Sequence, residues 1–300
     1  MITAMNYAAQ AERALREYSK TLAGRDKLAH ETSLLTAGSI KNAKHFAIPD
    51  GGIVFDDDFR GLDLQNIRLP FNEITIEWFA PRKLLSTGDY CPKRCLVASE
   101  IKGIGVIVCI GLYQTSKENL WHVNDFRTVL KMDNTQHSDA LFDGKWIKFI
   151  LPDGRLVEIA ASPTSDKLKN AMSSGKLSSE TLRDMIDNSC QEISGLFALL
   201  EALSCRNVIA EPREKVDQAK NARRIKDGKL PIYETKILTV DTSARHNEKL
   251  GMTVTDRASV RQHLRRGHIR RHPTAGNIWV QSCVVGYQGL GVIDKSYAVH

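Results

Sequence analysis

No stretch of the 300 residues stays apolar for the roughly 18 to 20 residues that a membrane-spanning helix needs. The N-terminus, MITAMNYAAQAERALREYSK, lacks the basic start and apolar centre of a secretory signal. We therefore expect no membrane partner and a cytoplasmic location. Glycine (20) and proline (9) are too sparse for a collagen-like or low-complexity chain, and 26% charged against 42% hydrophobic residues is ordinary globular composition. Cysteine is scarce as well. The six, Cys91, Cys95, Cys109, Cys190, Cys205 and Cys283, are scattered through a chain long enough to bury its own core, so reduced thiols are expected rather than a disulfide framework.

Several motifs of catalysis are also missing. IKGIGVIVCIG has two glycines two apart but not the spacing of a dinucleotide fingerprint, and no helical pattern opens after it. There is no G-x-S-x-G elbow and no recognisable thiol nucleophile. CPKRC, with Cys91 and Cys95, has no second ligand pair at zinc spacing. Asp56, Asp57 and Asp58 are consecutive, so their side chains diverge, which fits a solvated turn better than a magnesium site. No metal or cofactor is expected, and binding is favoured over catalysis.

What is present reads as α+β. Thr3 to Ala23 has helical apolar spacing and ends at Gly24; a short second helix is expected around Glu31 to Lys44, then a turn at PDGG, Pro49 to Gly52. In NEITIEWF, Ile74, Ile76 and Trp78 alternate with Glu73, Thr75 and Glu77, a strand with one wet face. Further strands follow without intervening helices, LPDGRLVEIA reads as a hairpin, and the sheet is expected to be antiparallel. From Ser179 to Ser204 an apolar stripe of Leu182, Met185, Ile186, Ile193, Leu196, Phe197, Leu200 and Leu203 marks a long core helix capped by Ser178 or Ser179. We expect an α+β core over residues 1–210 and a basic, β-rich region over 211–300, packed either separately or within the same domain.

The charge is not evenly spread. Between Arg206 and Pro273 stand 17 lysines and arginines against 8 acidic residues, a local +9 within a chain of net +7, so the remainder carries −2. A localised cationic region suits a phosphate-bearing partner. Its densest part, RQHLRRGHIRRH from Arg261 to His272, holds five arginines and three histidines. As a plain strand it would put Leu264 and Ile269 on opposite faces. A bulge at Arg266 and Gly267 brings them to one face and gathers His263, Arg265, His268 and Arg270 on the other. Arg261, Arg266 and Arg271 extend the row, Trp279 on the next strand backs it, and Arg223, Arg224, Lys226 and Lys229 add phosphate contacts. Edge protection is the plainer use of such charge, but arginine dominates here and its fork suits phosphate.

ALSCRNV (Ala202 to Val208), RRIKDGKLPIYETKIL (Arg223 to Leu238) and HLRRGHIRR followed by IWV resemble the signature of an uncharacterised family encoded by tailed phages and mobile elements. The likeness covers about the last third of the chain, with a weaker echo at RLPFNEITIEW. The R-x-H-x-R-R-G-H block, Arg261, His263, Arg265, Arg266, Gly267 and His268, is also similar to the C-terminal end of a type V-A anti-CRISPR protein that acts on its target's translation and messenger RNA. Ile269 stands where that protein has an aromatic, which removes a base-stacking ring at this position. The resemblance implies a phage-encoded factor for host takeover or anti-defence, working on RNA or ribosomes. DNA is a second polyanion partner to consider. Two alternatives stay open: a metal-independent nuclease using His263 and His268 as acid and base, and an inhibitor that docks on an acidic patch of a host or defence protein.

Overall fold

The computed structural model describes residues 6–54, 68–80, 90–101, 105–131, 146–150, 156–241, 261–265, 268–272, 274, 276–280, 283–285 and 287–292. Two helices open the chain. The first, α1 (Tyr7–Leu22), buries Ala8, Ala11 and Leu15, and Gly24 follows its end in the left-handed conformation (φ 76°) that favours glycine. Helix α2 (Lys27–Asn42) begins earlier than its apolar spacing suggests, because the Asp26 side chain accepts from the Ala29 N–H and caps it.

A ten-stranded sheet forms the middle layer. Its order is β7 (Trp146–Ile150), β8 (Leu156–Pro163), β6 (Phe126–Lys131), β4 (Val106–Gln114), β3 (Lys93–Ile101), β2 (Glu73–Phe79), β1 (Lys44–Ala47), β10 (Thr235–Val240) and β9 (Val208–Pro212), with β5 (Trp121–Val123) paired to β4. The α+β class is as expected, but the sheet is mixed rather than antiparallel. Strand β1 runs parallel to both β2 and β10, and four residues carry too little pattern to announce a strand. The β7–β8 pair is the expected hairpin, with Ile150 opposite Leu156, while the turn itself lies outside the described residues. Beyond residue 210, β10 is hydrogen-bonded directly to β1 of this sheet.

Both faces of the sheet are covered. On one, Ile74, Ile76 and Trp78 of β2 join Leu96 and Ala98 of β3 against Ile193, Leu196, Phe197 and Leu200 of α4 (Ser179–Ser204). Each of these isoleucine, leucine and phenylalanine side chains contributes roughly 1.5–3 kcal/mol by leaving water. On the other, Cys95, Val97 and Leu112 pack against Ala11, Leu15, Ala37 and Ile40 of α1 and α2. The wet face expected for β2 is therefore not wet: Thr75 is wholly buried and Glu77 is 2% exposed. Alternation is present, but helices occupy the side where water was expected.

Burial of those polar residues is accommodated by specific partners. The Glu77 carboxylate accepts from the Ala8 N–H at 3.0 Å and so caps α1 from a neighbouring strand, where Asn6 makes no side-chain cap of its own. Thr75 Oγ1 lies 2.6 Å from Nδ1 of His45. On the opposite face Arg94, 2% exposed, donates from Nη1 to Glu192 of α4 at 2.6 Å and from Nε to the Cys91 carbonyl. The second Glu192 oxygen accepts from Asn124 Nδ2 at 2.9 Å. Gly111 is required beside this group, since a Cβ there would stand 2.2 Å from Asn124 Nδ2.

Helix α3 (Asp166–Ser173) meets α2 end to end. The Asp26 carboxylate also accepts from the Asp166 and Lys167 N–H groups, and Asp166 accepts from the Leu28 N–H. Burial raises the Asp26 pKa, but the N–H donors of Ala29, Asp166 and Lys167 outweigh it, and the net shift is downward from 3.8.

Removing one member of the buried ion pair leaves its partner charged and desolvated, so Glu192→Ala should lower stability by about 3–5 kcal/mol in chemical denaturation. Asp26 binds its proton less readily folded than unfolded, so its stabilisation is complete above pH ~5 and drains as pH falls through and below ~4. Asp26→Asn should flatten the acid limb of a melting-temperature profile and leave a lower plateau at neutral pH.

Candidate nucleic-acid interface

The basic segment that reads as a charged linker contains a helix, α5 (Gln218–Lys226), between β9 and β10. Nine residues are too few to hold a helix in water unaided, and α5 buries none of its residues. Polar bonds hold it instead. The Asp217 side chain accepts from the Ala219 and Lys220 N–H groups. Asn221 donates to the Ile232 carbonyl and accepts from its N–H. At the other end Gly228 turns left-handed (φ 72°), and its carbonyl accepts from Arg13 of α1 at 2.8 Å. Arg224 is directed back to the Leu230 carbonyl.

This leaves Arg223, Lys226 and Lys229 exposed, with Lys220 exposed one turn earlier. Of the four cations expected here, Arg224 alone is half-buried and hydrogen-bonded within the loop. Lys220 was not anticipated. Asp217 is itself a cap signal, but a segment polar all round gives no amphipathic stripe to read. Cations in the last turn also favour the helix dipole, although that effect does not account for Lys229 beyond the helix end.

The C-terminal cationic row is divided between two sheets. Strand β12 (His268–His272) pairs antiparallel with β13 (Gly276–Val280), placing Ile269 opposite Trp279. Trp279, 8% exposed, packs with Ala202 and Cys205 at the α4 end and with Val208, and Ile269 packs against this group. A two-stranded hairpin is marginal alone, and this one is clamped by Asn207, whose side chain donates to the Trp279 carbonyl and accepts from its N–H, both at 2.8 Å. Asn277 adds a donor to Ser204 Oγ, and its carbonyl accepts from the Arg206 N–H. Arg270 is exposed; Arg271 is the next residue of β12, opposite Asn277.

The first half of the row is elsewhere. Strand β11 (Arg261–Arg265) is the central strand of a three-stranded sheet between β14 (Cys283–Val285) and β15 (Tyr287–Val292). His263 falls opposite Val285 and Arg265 opposite Cys283. The expectation of one continuous, bulged ribbon is thus corrected: hydrogen-bond partners change between Arg265 and His268, and His263 and His268 belong to different sheets. Arg266 and Gly267, where the bulge was expected, lie outside the described residues, as do Asp56, Asp57 and Asp58.

Other reactive groups are occupied in packing. His45 is stacked on Tyr233 with ring centroids 4.1 Å apart, and burial followed by the neighbouring Lys44 charge lowers its pKa to about 4. It is neutral at pH 7. Cys91, Cys95, Cys109, Cys190 and Cys205 are free and buried, and burial raises Cys109 to about 12 and, with the charge of Glu201, Cys205 to about 11. Such thiols are poor nucleophiles. Among the described residues no three His, Cys, Asp or Glu side chains gather as a metal site, and no helix is long and apolar enough to cross a membrane.

No family model, no curated protein and no solved structure matches this chain.

Asn207→Ala removes two hydrogen bonds to the Trp279 backbone at once. Hydrogen–deuterium exchange over residues 276–280 should accelerate by about ten- to a hundredfold, corresponding to roughly 1–3 kcal/mol of local stability, while β3 and β4 stay protected.

Proposed function

We propose that the protein binds RNA, free or within the ribosome, and that it does so as a phage or mobile-element factor of host takeover or anti-defence. The observation that carries this reading is α5. It is a helix held in place by caps and backbone bonds with no apolar burial, and it presents Lys220, Arg223 and Lys226 to solvent, with Lys229 exposed just beyond its end. A fixed row of cations with no packing role is suited to phosphate, because the chain has already lost the entropy that binding would otherwise cost. Arg270 is exposed on β12, and Arg261 and Arg265 on β11 and Arg271 on β12 add positive charge to the C-terminal strands. The likeness of this block to that of an anti-CRISPR protein acting on messenger RNA favours RNA over DNA as the polyanion.

The nuclease alternative has less support. A histidine acid–base pair needs two imidazoles converging on one phosphodiester, and positions 263 and 268 stand on strands of separate sheets. Docking on an acidic protein patch would use the same cations, but α5 offers little apolar surface for the dry centre of such an interface beyond the exposed Ile225.

Fluorescence anisotropy with a labelled single-stranded RNA, run across a salt series, tests the reading. Wild type should weaken linearly in log affinity against log salt. Arg223→Ala, Lys226→Ala and Lys229→Ala combined should reduce that slope by about 2, at roughly 0.7 for each phosphate no longer neutralised. An unchanged slope, or no binding by wild type at low salt, would count against it.

A further inference from the structure

Helix α2 has its polarity reversed. It buries Thr32, Ser33, Thr36, Ala37 and Ile40, of which three carry hydroxyls, while Leu34 and Leu35 are 41% and 72% exposed. A surface helix ordinarily turns its apolar stripe to the core and its polar residues to water. The inner face tolerates hydroxyls because they have partners, as where Thr36 Oγ1 donates to the Thr32 carbonyl at 2.7 Å. Nothing in the core accounts for the two leucines outside. They flank the middle of a solvent-facing side that also holds Lys27, Glu31, Lys41 and Asn42.

Gly38 lies on the same side, one turn after Leu34. A glycine inside a helix weakens it relative to alanine, and this one is not among the glycines of positive φ. At Gly111 and Gly195 a Cβ would press on Asn124 or Trp78, but at Gly38 it would meet nothing within 4 Å. No turn and no close approach within the described chain requires glycine here; the notch is open to another molecule. The charges are ordered about the same point. Glu31 and Lys41 each stand five residues from Thr36, and Leu34 and Gly38 each stand two. A second α2, antiparallel about a two-fold axis at the level of Thr36, sets Glu31 against Lys41 and Leu34 against Gly38, each twice. The present partner of Glu31 is Lys27 at 3.9 Å, both well exposed, a pair that costs little to exchange.

We propose that the exposed side of α2 is where two copies of this chain pair, helix against antiparallel helix. Leu34 fills the notch over Gly38 of the partner subunit, the two Leu35 side chains meet beside the axis, and Glu31 faces a lysine at both ends. Self-complementarity is what favours a second copy over a different protein, since a two-fold contact needs one patch to supply both halves of every pair. One helix on one helix is smaller than the standard interface of roughly 1,600 Å², so the dimer is weak and concentration-dependent. The assignment is independent of the RNA reading and uses none of the α5 cations.

Sedimentation equilibrium of the full, nuclease-treated chain from about 5 to 500 µM, the range suited to small interfaces, tests it. The average mass of wild type should climb from 33.5 kDa toward twice that value, and Leu35→Glu should stay at the monomer mass throughout. Glu31→Lys and Lys41→Glu each put like charges opposite at two symmetric places, so each should weaken pairing by about tenfold. Combined, they should restore most of the wild-type affinity. Gly38→Met fills the notch and should weaken pairing by at least about tenfold, while the melting temperature of the monomer holds or rises. Glu31, Leu35 and Lys41 are exposed, so an unchanged melt separates lost pairing from misfolding. A wild type that stays monomeric would overturn the proposal and leave this side of α2 to a different protein. A dimer that tolerates Leu35→Glu, or charge reversals that do not rescue each other, would overturn it too. The triple α5 variant should pair as wild type does, which separates failure here from failure of RNA binding.

Discussion

The pairing of Arg94 with Glu192 sets the relation between the sheet and its long helix. Two charges taken out of water cost several kcal/mol each and are recovered only by close geometry and further donors. Here the geometry is supplied by three elements at once. Arg94 comes from β3, Glu192 from the middle of α4, and Asn124 from the turn between β5 and β6. A helix packed by apolar side chains alone can slide or rotate by a turn at little cost. With its central carboxylate fixed between a guanidinium and an amide, α4 has one register. Gly111 and Gly195 complete the fit, the first leaving room for Asn124 and the second letting α4 approach Trp78 and Ile48.

The segment that directly follows α4 inherits that register. The helix ends at Ser204, and Arg206 and Asn207 immediately bind the β13 backbone. The Trp279–Ile269 pair then closes over Ala202 and Cys205. The cationic hairpin is therefore placed by the same helix that the buried ion pair aligns. The other cationic element is placed through the opposite face of the sheet. Tyr233 donates to Glu12 of α1 and stacks on His45 of β1, while Asn6 and Arg13 reach the carbonyls of Pro231 and Gly228. Helix α1, capped by Glu77, is thus a bracket for the loop that carries α5.

Exposed cations are spread over the described surface: Lys20, Arg25, Lys27 and Lys41 stand on or beside α1 and α2, as Arg223 and Lys226 stand on α5. Mixed-sign surfaces are the ordinary outcome for a soluble protein.

Periodicity made much of this readable. The apolar stripe of α4, its Ser178 cap, the β7–β8 hairpin and the strands β2, β3, β4 and β6 follow from spacings of 3.6 and 2 that any chain must obey. The concentration of positive charge after Arg206 is equally a property of the sequence. What it could not contain is which neighbour covers which face. Glu73, Thr75 and Glu77 spell a solvated side, yet α1 and α2 cover Thr75 and Glu77, because a carboxylate can be buried when a helix N-terminus needs its charge. Similarly, HLRRGHIRR looks like one ribbon because local pattern reports only local geometry. Its division between β11 and β12 is set by hydrogen bonds to strands that arrive later in the chain. Local spacing settled the elements and the charge; long-range pairing, which is indifferent to sequence order, decided their partners.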